Sequence, residues 1–189
     1  MTILGVIASS TRQGQVSADD GAMFPIFATT LTTATNTLTF SNIPQTYTHL
    51  QLIYTSRVDQ NGNMACRFNS DTGNNYDTHY MYSNSSPTTG AGAEIGVSRF
   101  YVDVSTISSN AFTIGTMDIL DYRNTNKYKV ARTLATLSIN QNTSPAAYTW
   151  TASGLWRNSN AITSITLFAT GSENYQVGSN FALYGIKGA

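Results

Sequence analysis

Residues Ala111 to Asn140 read AFTIGTMDILDYRNTNKYKVARTLATLSIN and contain the strongest β-strand pattern of the chain. Two runs rich in Ile, Thr, Val, Phe and Leu flank a polar centre at residues 121–127. β-Branched and aromatic residues favour a pleated, half-buried surface, whereas Asp, Asn and Thr side chains bond to their own backbone in turns. The stretch therefore predicts a long β-hairpin at the centre of a sheet.

The alternation of polar and apolar residues along this hairpin is imperfect, because Asp118 and Arg132 fall among apolar neighbours. Two explanations stay open. The hairpin contains a bulge, or both of its faces are covered, one by the core and one by another subunit. For Asp118 itself we expect a salt bridge to Arg132 across the hairpin. The alternative is a catalytic carboxylate that acts together with Asp121.

The rest of the chain also has the pattern of an all-β protein. About ten short segments rich in β-branched and aromatic residues are separated by Gly, Asn and Ser turns, and no segment keeps a helical period. This pattern predicts an antiparallel β-sandwich, jelly-roll-like, with an extended N-terminal arm. Asn61–Gly62 predicts a hairpin turn between strands at 49–56 and 64–68, and Asn84–Gly92 predicts an open surface loop.

The chain divides into an arm, residues 1–22, and a sandwich domain, residues 23–189. The arm begins with a short apolar patch and continues with polar residues that keep no strand or helix period. One hypothesis is that the patch docks on a neighbouring molecule and orders as it binds. The other is an edge strand that returns to its own sheet. In the docking hypothesis the contact residues are Ile3, Leu4, Val6 and Ile7.

The composition limits the partners that the protein can have. Only 11% of the 189 residues are charged and the formal net charge is zero, which offers little electrostatic repulsion between copies. The scattered basic residues argue against nucleic acid as a partner, and no apolar run approaches the length of a membrane span. The single cysteine, Cys66, excludes an intrachain disulfide.

Few residues offer chemistry. The two histidines, His49 and His79, are expected to pack or form hydrogen bonds rather than act as bases, and no nucleophile elbow or phosphate loop is present. We therefore predict a protein that is not an enzyme and uses no cofactor or metal. Glycan binding is an open alternative to core packing or subunit contact for exposed aromatic residues. The candidates for this contact are Tyr80, Tyr82 and Trp156.

Several stretches resemble a family of small virion structural proteins of tailed bacteriophages, including cyanophages. The likeness runs from about Phe27 to the last residue and adds Leu4–Ser9 in the arm. The matching words are FSNIPQTYTHL at 40–50, FNSDTGNNY at 68–76, DILDY at 118–122, NTNKYK at 124–129, SGLW at 153–156 and FALYGIKG at 181–188. The resemblance implies a non-enzymatic β-sandwich built into the virus particle. It leaves head or tail open and supplies no catalytic residues.

Two functions follow as hypotheses. The first is a capsid decoration (cement) protein of the virion, expected as a homotrimer, that binds the major capsid protein or another virion protein and bridges capsomers. The second is a tail fibre or appendage module that binds host surface glycans. A glycan-cleaving enzyme that uses Asp118 ranks third.

Overall fold

A computed structural model describes residues 23–60, 62–83, 89–105, 112–139 and 146–188. The arm lies outside these ranges, and so do all four of its expected contact residues. The described chain consists of twelve β-strands and the loops between them, with no helix. No helix long and apolar enough to cross a membrane therefore occurs in these ranges. The expected all-β class is confirmed.

The strands are numbered in chain order. The first six are β1 (Met23–Thr30), β2 (Thr37–Phe40), β3 (His49–Ser56), β4 (Gly62–Phe68), β5 (Tyr76–Ser83) and β6 (Thr89–Val97). The second six are β7 (Phe100–Ser105), β8 (Thr113–Leu120), β9 (Lys129–Ile139), β10 (Ala146–Trp156), β11 (Ile165–Ala169) and β12 (Asn180–Ile186).

The strands form two antiparallel sheets that pack as a sandwich. The larger sheet has the order β1-β12-β3-β8-β9-β10-β5-β6, and the smaller has the order β2-β11-β4-β7. When β5, β6, β9 and β10 are set aside, the remaining eight strands have the interleaved order of a jelly roll, which consists of two Greek keys. Strands β5, β6, β9 and β10 extend the larger sheet beyond this jelly roll.

The predicted hairpin is confirmed at the centre of the larger sheet. β8 and β9 pair antiparallel from Thr113 opposite Leu137 to Leu120 opposite Val130, without a bulge. Each strand has a neighbour on its other side, β3 next to β8 and β10 next to β9. The hairpin therefore connects the jelly-roll part of the sheet to its four-stranded extension.

Two local predictions were wrong because tertiary context overrode them. Asn61–Gly62 does not close a hairpin, since β3 belongs to the larger sheet and β4 to the smaller. Residues 89–92 of the expected loop at Asn84–Gly92 belong to β6, which pairs with β5 along its length, and residues 84–88 lie outside the described residues. In β6, Gly90 and Gly92 lie against tyrosine side chains of β5. A Cβ atom at Gly90 would come within 2.4 Å of the Tyr82 ring, and one at Gly92 within 2.5 Å of the Tyr80 hydroxyl oxygen. These glycines are packing positions and do not mark a loop.

The core between the sheets is rich in aromatic residues. Phe68 lies 5.4 Å from Phe100 and 5.6 Å from Trp156, and Tyr76 stacks on the same indole at 6.3 Å, all measured between ring centroids. The four side chains are at most 1% exposed. β10 runs through Gly154 without a break. Glycine fits at this position because a Cβ atom would lie 2.7 Å from the Phe100 ring. The aromatic cluster thus fixes β10 against β4 and β7.

A β-bulge in β7 places a carboxyl group in this core. Met64 pairs with Asp103, but the next residue, Ala65, pairs with Tyr101, so Val102 is the extra residue of β7. A bulge interrupts the inside–outside alternation, and Val102 and Asp103 are both buried in consequence. Within the described chain neither oxygen of the Asp103 carboxyl group has a hydrogen-bond partner. Burial raises the pKa of Asp103 to about 8, and the nearby Tyr54 hydroxyl opposes the rise only in part.

A buried lysine holds the connection between β8 and β9. The Lys129 side chain is fully buried, and its Nζ donates hydrogen bonds to the carbonyl oxygens of Asn124 at 2.5 Å, Lys127 at 2.9 Å and Ser159 at 2.9 Å. An ammonium group has three protons to donate, so each proton has an acceptor. The loss of water contacts nevertheless lowers the pKa of Lys129, and the nearby positive charge of Lys127 adds to this effect.

We expect Lys129→Met to lower the free energy of unfolding by about 3 kcal/mol, because three partly buried carbonyl groups lose the charged donor that they share. Lys127→Met is the matched control. Its ammonium group is largely exposed and pairs with Asp121 at the surface, and such a pair contributes about 0–1 kcal/mol. Urea unfolding monitored by tryptophan fluorescence measures both changes. Equal losses in the two variants would contradict this role for Lys129.

Candidate functional site

The candidate site is the solvent-facing side of strands β3, β8, β9, β10 and β5, which we call the outer face. Strand alternation in β8 turns Gly115, Met117 and Ile119 toward the core and Ile114 and Leu120 toward solvent. The large apolar side chains on the solvent-facing side are 36–60% exposed across the face, although large apolar residues usually lie inside a protein. The exposed large apolar residues of the outer face are Ile53, Met81, Ile114, Leu120, Val130 and Leu134.

The sequence allows this arrangement because both sides of the hairpin strands are apolar. On the core side, Gly115 makes room for Tyr54, since a Cβ atom at Gly115 would lie 2.2 Å from the tyrosine hydroxyl. On the solvent side the apolar residues remain, and no described residue covers them. Exposed apolar side chains grouped on one face of a soluble protein commonly mark an interaction site.

A polar row crosses the middle of the outer face at right angles to the strands. Pairing between neighbouring strands aligns Gln51 with Asp118, Asp118 with Arg132, Arg132 with Ser153 and Ser153 with His79. His79 is exposed at the end of this row. The apolar residues lie on both sides of this row.

The expected salt bridge is present at the centre of the polar row. Nη2 of Arg132 donates to Oδ2 of Asp118 at 2.8 Å, and Nε2 of Gln51 donates to Oδ1 of the same carboxylate at 2.7 Å. Partial burial alone would raise the pKa of Asp118, but the hydrogen bonds from Arg132 and Gln51 outweigh it, and the pKa is lowered. A general acid of a glycosidase requires a raised pKa. The environment of Asp118 therefore favours an ion pair over acid catalysis.

Asp121, the other acid considered with Asp118, lies in the connection after β8. It has a positive φ of 49° and forms an ion pair with Lys127. Its backbone N–H donates to Nδ1 of His49 at 2.9 Å, which gives His49 the hydrogen-bonding role expected for it. Asp118 and Asp121 thus have separate partners. Those of Asp118 link neighbouring strands of the sheet, and those of Asp121 hold the backbone of the connection after β8.

The aromatic residues considered for glycan contact differ in their burial. Tyr80 and Tyr82 are partly buried and belong to a row of stacked rings that also includes Tyr148 and Trp150. Tyr80 lies 4.5 Å from Trp150 and Tyr82 lies 5.7 Å from Tyr148, between ring centroids. We call these four side chains the aromatic ladder. It packs against the core, on the side opposite the outer face.

Trp156 is not available to a ligand, so the expectation of a glycan or subunit contact at this position is corrected. The side chain is 1% exposed. Its Nε1 donates to Oδ2 of Asp71 at 2.8 Å, and that carboxylate also accepts hydrogen bonds from the Gly73 backbone and from Asn75. Trp156 therefore ties the loop between β4 and β5 to the core.

Other groups with chemical potential are buried or dispersed. Cys66 is a free, fully buried thiol in β4, and burial raises its pKa well above the usual value. Such a thiol has little thiolate character. Among the described residues, no three side chains of His, Cys, Asp or Glu come together in a way that could hold a metal ion.

Comparisons of the chain with protein-family models, with curated proteins and with solved structures found no match. Support for a function therefore comes from the outer face, the arm and the sequence segments that resemble phage virion proteins.

Proposed function

We propose that this protein is a structural component of a bacteriophage particle, and specifically a capsid decoration protein that binds the shell and bridges capsomers. The observation that carries the proposal is the uncovered apolar outer face, with a single ion pair at its centre. A protein that works through contact surfaces requires such a face and requires no reactive centre. The resemblance of the sequence to small phage virion proteins supports the choice of particle.

The arm provides the second contact of the proposed decoration protein. The domain begins at Met23, in the strand at one edge of the larger sheet. An extended chain of 22 residues reaches about 70 Å, which is enough to cross its own domain and contact a neighbouring capsomer. Burial of the arm's side chains at Ile3, Leu4, Val6 and Ile7 would contribute roughly 25 cal/mol per Å² of apolar area.

Deletion of residues 1–22 is expected to abolish attachment to particles that lack this protein, while the sandwich stays folded. The physical reason is that the apolar patch is lost, whereas all twelve strands begin at or after Met23. Co-sedimentation with particles measures attachment, and thermal unfolding measures the fold. A truncated protein that occupies particles as fully as the intact chain would contradict the role of the arm.

Substitutions within the full-length arm provide a matched control. Ile3→Asp combined with Ile7→Asp should weaken attachment strongly, because two carboxylates would have to lose their hydration in the contact. Gln13→Ala combined with Gln15→Ala changes the same number of arm positions without adding charge, and should leave attachment unchanged. Equal behaviour of the two double variants would show that the apolar patch is not the contact.

The alternative function, a tail fibre or appendage module that binds host glycans, is favoured by the aromatic ladder. Flat, partly exposed tyrosine rings can stack on sugar rings. The decisive measurement is binding of the intact chain to host surface polysaccharide, compared with Tyr82→Ala and with Val177→Ala, which alters an exposed loop residue away from the ladder. Binding that is lost only in Tyr82→Ala would favour this alternative over decoration.

A further inference from the structure

We propose that the outer face is a contact between two copies of this chain, related by a two-fold axis that runs parallel to the strands between β8 and β9. The proposal uses the same outer face that carries the proposed function. In the dimer this face contacts the second copy, the arm is left to bind the shell, and a dimer replaces the homotrimer expected from the sequence. The contact would form in solution whether or not the chain enters a particle. Three properties of the outer face support it: its apolar side chains, its charge pattern and its area.

The apolar side chains lie close to the proposed axis. Ile114 and Leu120 of β8 and Val130 and Leu134 of β9 are 44–60% exposed and lie on the two central strands of the larger sheet. The polar residues between and beside them are mostly Thr and Ser, which are short enough to allow two sheets to approach to about 10 Å. Packing of this type is the ordinary arrangement of two sheets in a sandwich.

The charge pattern decides the direction of the axis. If the axis runs parallel to the strands between β8 and β9, each residue of β8 faces a residue of β9 in the second copy. That β9 residue is the one with which it pairs across the hairpin within a single chain. Asp118 then faces Arg132 of the second copy, and Leu120 faces Val130. An axis at right angles to the strands, along the polar row, would place Asp118 against Asp118, and like charges in direct opposition are destabilising.

Each copy thus contributes one carboxylate and one guanidinium to a four-charge cluster at the centre of the contact. Within one chain the two groups are already 2.8 Å apart, so the cluster can form without rearrangement. Aligned sheets cross at about 30°. Residues of the two copies therefore face each other most directly near the axis. Asp118 and Arg132 lie there, one on each side of it.

The area of the face suits a stable dimer. The axis sets β3 against β10 of the second copy and β5 against β12, so six strands of each sheet overlap. At about 4.8 Å between strands and about eight residues of 3.4 Å each, the footprint is roughly 780 Å² per copy. Two copies would bury about 1,600 Å², which lies within the standard range for specific interfaces of 1,200–2,000 Å². The formal net charge of zero adds no overall repulsion between the copies.

The test is the mass of the full-length chain in solution, measured by sedimentation velocity over a range of about 1–100 μM. The expected result is a dimer, twice the 20.4 kDa of one chain. Leu134→Glu should weaken the dimer at least about tenfold, because each copy would bury an unpaired carboxylate near the axis. Val177→Glu is the matched control at an exposed apolar residue in the loop between β11 and β12, and it should leave the dimer intact.

Charge exchange tests the assigned axis. Arg132→Asp alone brings carboxylates into opposition and should weaken the dimer at least about tenfold, whereas Asp118→Arg combined with Arg132→Asp should restore it. A wild-type chain that stays monomeric at the highest concentration would overturn the proposal, as would a trimer or a dimer that Leu134→Glu does not affect. An exchanged variant as weak as Arg132→Asp would overturn the axis.

Discussion

Replacement of Trp156 by alanine is expected to lower the free energy of unfolding by about 4 kcal/mol, the usual cost of truncating a fully buried tryptophan. The indole is 1% exposed, stacks on Tyr76 and lies edge-on to Phe68. Its loss would leave a cavity between the two sheets and would remove one of the donors to Asp71. Denaturant unfolding measured by far-ultraviolet circular dichroism gives the change.

Two conservative variants separate the cavity from the hydrogen bond. Trp156→Phe keeps an aromatic ring but loses the donor to Asp71, whereas Trp150→Phe changes a buried indole whose Nε1 has no partner among the described residues. We expect Trp156→Phe to cost about 1–2 kcal/mol more than Trp150→Phe, because a carboxylate is left with fewer donors. A loss below about 1 kcal/mol for Trp156→Ala would contradict the burial of this side chain.

Replacement of Asp103 by asparagine is expected to stabilise the protein at alkaline pH. Burial raises the pKa of this carboxyl group to about 8, so the folded chain keeps the proton that the unfolded chain releases near pH 4. Between these values the folded state binds more protons than the unfolded state, and stability therefore falls as the pH rises. The expected loss by pH 9 is on the order of 4 kcal/mol.

The asparagine variant has no proton to release and should show no such decline. Its unfolding free energy should match that of the wild type near pH 4 and exceed it at pH 9, in urea titrations at several pH values. Asp59→Asn is the control, because hydrogen bonds from Asn174 lower the pKa of that exposed carboxyl group. The folded and unfolded states then differ in protonation only below about pH 4. An Asp103→Asn variant that declined with pH like the wild type would contradict the assignment.

The part of the fold that could be predicted from the sequence is the part in which neighbours along the chain are also neighbours in space. The hairpin of β8 and β9 was predicted correctly, and its register follows from the short polar connection. That register made the ion pair between Asp118 and Arg132 predictable as well. The uneven alternation in this hairpin left a bulge or two covered faces open. The structure shows no bulge between β8 and β9, and the apolar residues on the solvent side are exposed in the described chain.

The rest depends on tertiary packing that leaves little local signal. Asn61–Gly62 has the composition of a tight turn, but β3 and β4 find their partners in different sheets. The glycines of β6 suggested a loop, because only the structure shows the tyrosine rings that lie over them. No residue type in the sequence marks the bulge that turns Asp103 inward. The sequence also does not distinguish a buried Trp156 from an exposed one.

We propose that this chain acts by binding to surfaces of a virus particle. The most direct test is electron microscopy of intact phage particles labelled with an antibody against the sandwich domain, with mass spectrometry of the same purified particles. The account predicts that the chain is present in many copies and that the label lies regularly over the head. Absence of the chain from purified particles would contradict it.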